Sequence, residues 1–146
     1  MKKMSVILLG LFATSVYAGE CDINIEATAA MAYNTKEITV KKSCEEVTLN
    51  FKVNGTLAKA VMGHNVVITK KPDMDAVLKD GIAAGLNGNY VKAKDVRVVV
   101  ATNVIGGGES TSVKFKSSVF NTNEPYVFVC SFTGHSSVMW GNVKFN

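Results

Sequence analysis

The sequence contains few histidines, cysteines and tryptophans, with two, three and one of these residues in a chain of 146. It also has little excess charge. Of its 16 basic residues, Lys2 and Lys3 fall in the leader described below, which leaves 14 against 12 acidic residues. A net charge of about +2 is too small to predict binding to nucleic acid.

Long apolar runs, internal repeats and low-complexity tracts are also missing. After residue 18 no apolar run approaches the roughly 20 residues of a membrane-spanning helix, so we expect no membrane anchor. Three glycines at 106–108 lack the Lys-Ser/Thr pair of a phosphate-binding loop, and they predict a turn. Residues 19–146 are enough to build one domain around a single core.

The first 18 residues have the pattern of a secretory signal peptide. Two lysines precede an apolar run from Val6 to Phe12, and Val16-Tyr17-Ala18 ends in a small residue. The run is too short to anchor the chain in a membrane. We therefore predict cleavage after Ala18, a mature protein that begins at Gly19, and export to the periplasm.

Short runs in which apolar and polar residues alternate indicate half-buried strands along most of the chain. These runs lie at 23–25, 38–40, 47–53, 66–68, 96–101, 112–115, 126–130 and 141–145. Short strands at close spacing, separated by turns such as Asn54-Gly55, predict an all-β fold built as an antiparallel sandwich or barrel.

One segment departs from the strand pattern. Met74, Val77, Leu78 and Ile82 recur at helical spacing, and Asp73 stands where a helix cap is expected. We predict one amphipathic helix at about 73–86, inserted between the strands.

The segment 130–139 brings three metal-binding side chains together near the C-terminus. Cys130 supplies a thiol, His135 an imidazole and Met139 a thioether, a set that suits copper. Two histidines and a cysteine with a weak axial methionine form the blue-copper electron-transfer site, so one imidazole is missing. His64 is the only other histidine of the chain. Period-two alternation in the flanking strands points both sulfurs inward and leaves His135 on a turn, where a ring edge can reach solvent.

Taken singly, each of these residues is also compatible with a role that involves no metal. A cysteine in an apolar strand is often a small buried hydrophobe, a methionine is often core filler, and a histidine is often structural. A thiol enzyme could use Cys130 as nucleophile, His135 or His64 as base and Asn65 to orient the base, but it would leave Met139 without a role. A copper storage or delivery protein could use the same four ligands and would differ in how fast it exchanges the metal.

The motifs resemble those of the azurins, bacterial members of the cupredoxin family. Azurins share the spacing Cys-x4-His-x3-Met, found here at 130–139, and an upstream Met-Gly-His-Asn, found here at 62–65. The similarity extends over nearly all of the chain after the leader, including 33–35, 80–81, 97–98 and 105–109. It implies a cupredoxin-like Greek-key β-sandwich or barrel with an inserted helix outside it. It also implies one type 1 copper ion, a role in electron transfer, and no enzymatic activity.

The resemblance also implies roles for individual residues. The copper ligands would be His64, Cys130, His135 and Met139, with the Gly63 carbonyl as a weak further contact. The backbone N–H groups of Asn65 and Phe132 would bond to the Cys130 sulfur. An apolar docking patch would include Met62, Thr133, Gly134 and Val138. The partners would be redox proteins such as a c-type cytochrome, a nitrite reductase or a peroxidase. Many azurins have proline at Thr133 and lysine at Trp140, so these two positions bear on partner choice.

The cysteine and histidine counts lead to two further expectations. Cys21 and Cys44 have the spacing of the azurin disulfide, and a loop of about 24 residues closed by it would stabilise the fold by roughly 3 kcal/mol. Cys130 is then the unpaired thiol.

Some azurins carry an additional histidine near the copper, at a position that is Val53 here. Since no free imidazole would then titrate between about pH 5 and 8, we expect a reduction potential that is nearly constant across neutral pH.

Overall fold

The computed structural model describes residues 19–146, so the predicted signal peptide at 1–18 lies outside the described residues. The described part of the chain contains nine strands and two α-helices. The strands are β1 (Asp22–Thr28), β2 (Ala32–Tyr33), β3 (Glu37–Val40), β4 (Glu46–Val53), β5 (Val67–Lys70), β6 (Val98–Ala101), β7 (Ser110–Lys116), β8 (Tyr126–Val129) and β9 (Trp140–Phe145). The helices are α1 (Lys59–Met62) and α2 (Met74–Ala84).

The strands form two sheets, which confirms the predicted all-β Greek-key sandwich with an inserted helix. The four-stranded sheet has the order β2-β1-β4-β7 and the five-stranded sheet the order β3-β9-β8-β5-β6. The sheets are mostly antiparallel, as expected, but two pairs differ: β1 runs parallel to β4 and β3 runs parallel to β9. Between β1 and β4 the chain crosses to the other sheet to form β3, and it returns in the direction of β1.

The main core lies between the two sheets, where the inward-facing side chains of both pack together. In β1 and β4 the buried and less buried residues alternate, as the sequence predicted. Tyr33 contacts the rings of Phe51 and Phe128, with centroids 6.2 and 5.2 Å away. Burying one such large side chain contributes about 1.5–3 kcal/mol. Cys130 and Met139 belong to this same cluster, so the segment 130–139, called the metal loop below, begins and ends inside the core.

A second, smaller core lies on the outer face of the five-stranded sheet, under α2. Val77 of the helix packs with Val67 and Val129 of the sheet, and Trp140 packs against their edge. Because the helix covers this face, β8 is buried on both sides rather than on one. The Lys71 ammonium lies 5.9 Å from the centre of the Trp140 ring. Trp140 therefore covers the sheet and belongs to the helix-side core.

The helix differs from its prediction in detail. A 3-10 turn at Lys71–Asp73 precedes it, and the Asp73 side chain makes no capping hydrogen bond because this residue already has a helical backbone conformation. Ile82 is 58% exposed and so does not belong to the buried stripe. The inward positions are Met74, Val77, Leu78 and Gly81, which places Ile82 on the solvent side.

Several further features of the described residues bear on the predictions. The disulfide between Cys21 and Cys44 is present, across 23 residues, and this confirms the predicted pair. The segment at 96–101 begins its strand only at Val98, and Val96 is 96% exposed. The sequence patterns did not reveal α1 or β2. Within residues 19–146 no helix has the length and apolarity needed to cross a bilayer.

Candidate metal centre

Two loops at one end of the sandwich carry the predicted ligands. His64 follows α1 and pairs with Ile105 through two backbone hydrogen bonds of 3.0 and 2.9 Å. Cys130 is the first residue after β8. The loop from Cys130 to Met139 is closed by a hydrogen bond of 3.0 Å from the Cys130 N–H to the Met139 carbonyl. The N–H of Met139 donates to the His135 carbonyl at 2.9 Å, so the backbone fixes His135 relative to both sulfur-bearing residues.

The side chains of His64, Cys130 and His135 converge although 66 residues separate the first two. The Cys130 Sγ atom lies 3.9 Å from Nδ1 of His64 and 3.6 Å from Nδ1 of His135. All three ligand atoms lie within 4.8 Å of one another. His64 and Cys130 are fully buried, and His135 is 4% exposed. The expected solvent-reaching edge of His135 is therefore small, because its ring packs 4.8 Å from the Phe132 ring and 4.7 Å from that of His64.

Burial keeps all three groups uncharged in the absence of a metal ion. It lowers the pKa of His64 to about 4, and the repulsion that a protonated His135 would exert adds to this shift. Burial also lowers the pKa of His135. The pKa of the Cys130 thiol is raised to about 11 by burial, while hydrogen bonds from the backbone N–H groups of Asn65 and Phe132 act in the opposite direction. At neutral pH the site thus offers two neutral imidazoles and a thiol that must lose a proton to bind metal.

This donor set fits a single soft or borderline metal ion. Sulfur and nitrogen ligands lie about 2.3 and 2.0 Å from a zinc ion in proteins, which puts two ligands of one ion roughly 3.5 Å apart in tetrahedral or trigonal geometry. The separations of 3.6 and 3.9 Å at Cys130 are close to this value. Thiolate and imidazole together suit copper. Met139 supplies a thioether from the same core cluster as Cys130 and is fully buried.

The Asn65 side chain joins the two loops. Its Nδ2 donates to Ser131 Oγ at 2.8 Å and to the Asn89 carbonyl at 3.0 Å. Its Oδ1 accepts a bond of 2.9 Å from the Ser131 N–H. In addition, the Tyr33 hydroxyl donates to the Asn65 carbonyl. The segment after His64 is therefore tied to the segment after Cys130 and to β2.

Gly63, next to His64, lies in a confined place. It is buried, and a Cβ there would come within 2.6 Å of Val104 Cγ1 and 2.9 Å of Phe132 Cδ2. Real Cβ atoms do not approach other atoms this closely, so only glycine lets the His64 segment run against the metal loop.

The resemblance assigned an apolar docking patch to residues of the two ligand-bearing segments, and the structure shows how exposed they are. Thr133 and Gly134 are exposed, Val138 is 49% exposed, and Met62 is half-buried. Val61 is 66% exposed and adds apolar area next to Met62. The exposure of Val61 could not be predicted, since nothing in the sequence pattern distinguishes an exposed valine of a short helix from a buried one.

Comparisons with known proteins assign the chain to a family of copper-binding proteins. The sequence profile of the copper-binding proteins of the plastocyanin/azurin family matches residues 19–146. The chain belongs to this family. It is 53% identical to an azurin of Alcaligenes faecalis over 124 residues, which cover 85% of this chain and 97% of that protein. It is 48% identical to an azurin of Bordetella pertussis over 137 residues, which cover 94% of this chain and 91% of that protein.

The fold agrees with the family as well. A solved azurin (Az-iso2) of the methylotroph Methylomonas sp. strain J superposes with a TM-score of 0.85 at 42% identity, covering 88% of this chain and 99% of that one. In this plastocyanin/azurin fold, His64, Cys130, His135 and Met139 form the arrangement of a type 1 copper site. Copper is the ion that the family binds.

Proposed function

We propose that the protein is a periplasmic blue-copper protein that holds one copper ion and passes single electrons between redox proteins. One observation carries the proposal. The thiol of Cys130 and the imidazoles of His64 and His135 converge within 4.8 Å in a buried site, inside a chain of the plastocyanin/azurin family. The bound copper would supply the redox chemistry, by alternating between Cu(I) and Cu(II).

In this proposal the ligands are His64, Cys130, His135 and Met139, and the Gly63 carbonyl is a weak further contact. The rigid surroundings support a role in electron transfer, which is fast when the site rearranges little between oxidation states. The backbone pairing of His64 with Ile105 restrains one loop. The hydrogen bonds of Asn65 then restrain that loop against the other.

The N–H groups of Asn65 and Phe132 would tune the site through the sulfur. Both lower the pKa of Cys130, so both favour the negatively charged thiolate. Donors of this kind withdraw electron density from the sulfur and favour the reduced state of the site, which raises the reduction potential.

Partner proteins would dock on the apolar patch of Met62, Thr133, Gly134 and Val138, with Val61 beside it. Thr133, Gly134 and Val138 belong to the same loop as His135, which is 4% exposed, whereas His64 and Cys130 are fully buried. A small apolar interface of this kind suits a brief encounter. The proposed partners are a c-type cytochrome, a nitrite reductase or a peroxidase.

The proposed location and domain organisation follow from the leader. Residues 1–18 would be removed on export, and residues 19–146 would form the mature domain in the periplasm. The disulfide of Cys21 and Cys44 supports an oxidising compartment, since disulfides are rare in the bacterial cytosol.

The two alternative functions make different demands on Cys130. A hydrolytic nucleophile needs an accessible thiol of low pKa, whereas the Cys130 thiol is fully buried and its pKa is raised to about 11. We therefore propose no enzymatic activity. A storage or delivery protein must release copper readily. The hydrogen bond from the Cys130 N–H to the Met139 carbonyl closes the loop that carries three of the proposed ligands, and this restraint opposes release.

An anaerobic titration of the mature protein with Cu(II) tests the proposal. We expect one equivalent to bind, with an intense blue band, and to remain bound when a copper chelator is added in excess. Rapid loss of the copper to the chelator, without a blue band, would instead support copper delivery. A thiol that remains open to alkylation, together with hydrolysis of ester substrates, would support the enzyme.

A further inference from the structure

Lys36 lies beside the metal loop and contacts it with its charged end. The residue precedes β3, and its carbonyl accepts a hydrogen bond of 2.9 Å from the Asn142 N–H of β9. From there the side chain reaches back to the loop. Its ammonium donates to the Val138 carbonyl at 2.9 Å and to the Trp140 carbonyl at 3.4 Å. These two carbonyls lie on either side of Met139.

A glycine in β9 makes this approach possible. A Cβ at Gly141 would lie 2.5 Å from the Lys36 carbonyl oxygen and would also collide with the Phe128 ring. Real Cβ atoms do not come within 3.0 Å of such atoms. The glycine therefore lets the backbone of Lys36 pack directly against the start of β9, and this places the lysine side chain within reach of the loop.

The segment at 138–140 is held from two sides as a result. On the inside, the Met139 carbonyl accepts the N–H of Cys130 at 3.0 Å. On the outside, the ammonium of Lys36 binds the neighbouring carbonyls. Hydrogen bonds with an ionised donor are roughly twice as strong as neutral ones. An exposed lysine that merely extends into solvent would give no such restraint.

We propose that Lys36 is a positioning residue of the metal centre, whose ammonium binds the carbonyls on both sides of Met139 and so fixes the place of its thioether relative to Cys130. The inference rests on the proposed function, because it concerns the residue assigned as the axial ligand. The strength of the axial contact tunes the spectrum and the potential of blue-copper sites, so a surface cation would act on the buried site through the backbone.

Three variants test this proposal. Lys36→Met removes the charge and keeps much of the side-chain length, whereas Lys36→Arg keeps a donor with a positive charge. Lys144→Met is the matched control, because the Lys144 ammonium joins β9 to β3 through Glu37 at 2.8 Å. In that ion pair the lysine bonds to a carboxylate of β3 and not to a carbonyl of the loop.

The first measurement is amide hydrogen exchange at Val138 and Met139 in the metal-free protein. Both N–H groups donate to the His135 carbonyl, so their exchange reports opening of the loop. We expect exchange to be roughly five- to tenfold faster in Lys36→Met, as the loss of about one net hydrogen bond would cause. Lys36→Arg should restore most of the protection, and Lys144→Met should leave it unchanged.

The second measurement is the visible spectrum of the copper-loaded variants. We expect the relative intensity of the thiolate absorption bands to change in Lys36→Met and to stay as in the original protein in Lys144→Met. If Lys36→Met matches Lys144→Met in both exchange and spectrum, Lys36 is a solvated surface lysine and the proposal is wrong. A protein that binds copper without a blue band would refute the proposed function, and the exchange data on metal-free protein would still decide whether Lys36 holds the loop.

Discussion

Replacing Asn65 with alanine would break the side-chain link between the two loops of the metal centre. The truncation removes the bonds from Nδ2 to Ser131 Oγ and to the Asn89 carbonyl, and the bond from the Ser131 N–H to Oδ1. Ser131 is 4% exposed, so water cannot readily replace the lost acceptor. Leaving a buried polar group without a partner costs about 1–3 kcal/mol.

The expected loss of stability is large for a domain of this size. The Ser131 hydroxyl can turn toward the Asn89 carbonyl, which lies 3.5 Å away, and this would recover part of one bond. One or two groups then remain unpaired, for a total of roughly 2–4 kcal/mol. The free energy of unfolding of native proteins is only about 5–15 kcal/mol. With a urea dependence of about 2 kcal/mol per molar, the middle of the usual range for small proteins, the unfolding midpoint of Asn65→Ala should fall by about 1–2 M.

Urea unfolding of the metal-free, disulfide-bonded protein is the appropriate assay, because bound copper would add its own stabilisation. Asn54→Ala serves as the control, since Asn54 also bonds through Nδ2, to Glu26 Oε2 at 2.8 Å, but in an exposed place. Its free energy of unfolding should change by less than about 0.5 kcal/mol. A loss in Asn65→Ala no larger than in Asn54→Ala would show that the Asn65 side chain does not hold the loops together.

Three further predictions concern docking, redox behaviour and acid stability. Met62→Lys or Val138→Lys should slow electron exchange roughly tenfold, as about 1.4 kcal/mol of added desolvation would, without changing the visible spectrum; unchanged rates with redox partners and in self-exchange would place docking elsewhere. The reduction potential should be flat in film voltammetry from pH 5.5 to 8.5, because both histidines of the chain would be bound to copper and Val53 does not titrate; a sigmoidal drop near pH 7 would reveal an unrecognised proton-coupled group. Asp95→Asn should cost about 1–2 kcal/mol at pH 7, because hydrogen bonds from Arg97 lower the Asp95 pKa to about 2. That contribution is complete above about pH 4 and half lost near pH 3, so a difference in unfolding free energy that stays constant from pH 7 to pH 3 would contradict the assignment.

Much of the fold could be predicted because the sandwich is built from residues with two-residue periodicity. The alternation around Ile23 and Ile25 in β1 shows directly in the burial of that strand. The same reasoning failed for β8, because a helix distant in sequence covers its outer face. It failed again for Val96, whose apolar side chain continued the pattern although the strand begins at Val98. Periodicity does not indicate what packs on the other side of a strand.

The positions of the candidate ligands could be predicted from rarity and spacing, since only two histidines and one unpaired cysteine were available. The geometry that surrounds them depends on tertiary contacts. Nothing in the sequence indicates that Lys36 reaches the carbonyl of Val138 across 102 residues. Likewise, the burial of His135 follows from the packing of Phe132, whereas its place on a turn predicted more exposure.

The proposed function requires that the Cys130 thiolate, His64 and His135 bind one copper ion in a blue site. Visible and EPR spectra of the copper-loaded mature protein and of Cys130→Ser test it most directly, with circular dichroism to compare the folds. The proposed site predicts an intense blue band and a narrow copper hyperfine splitting in the original protein. Both should be absent in a folded Cys130→Ser protein. A Cys130→Ser protein that is still intensely blue with copper, or an original protein that binds copper without the blue band, would show that Cys130, His64 and His135 do not form a blue-copper site.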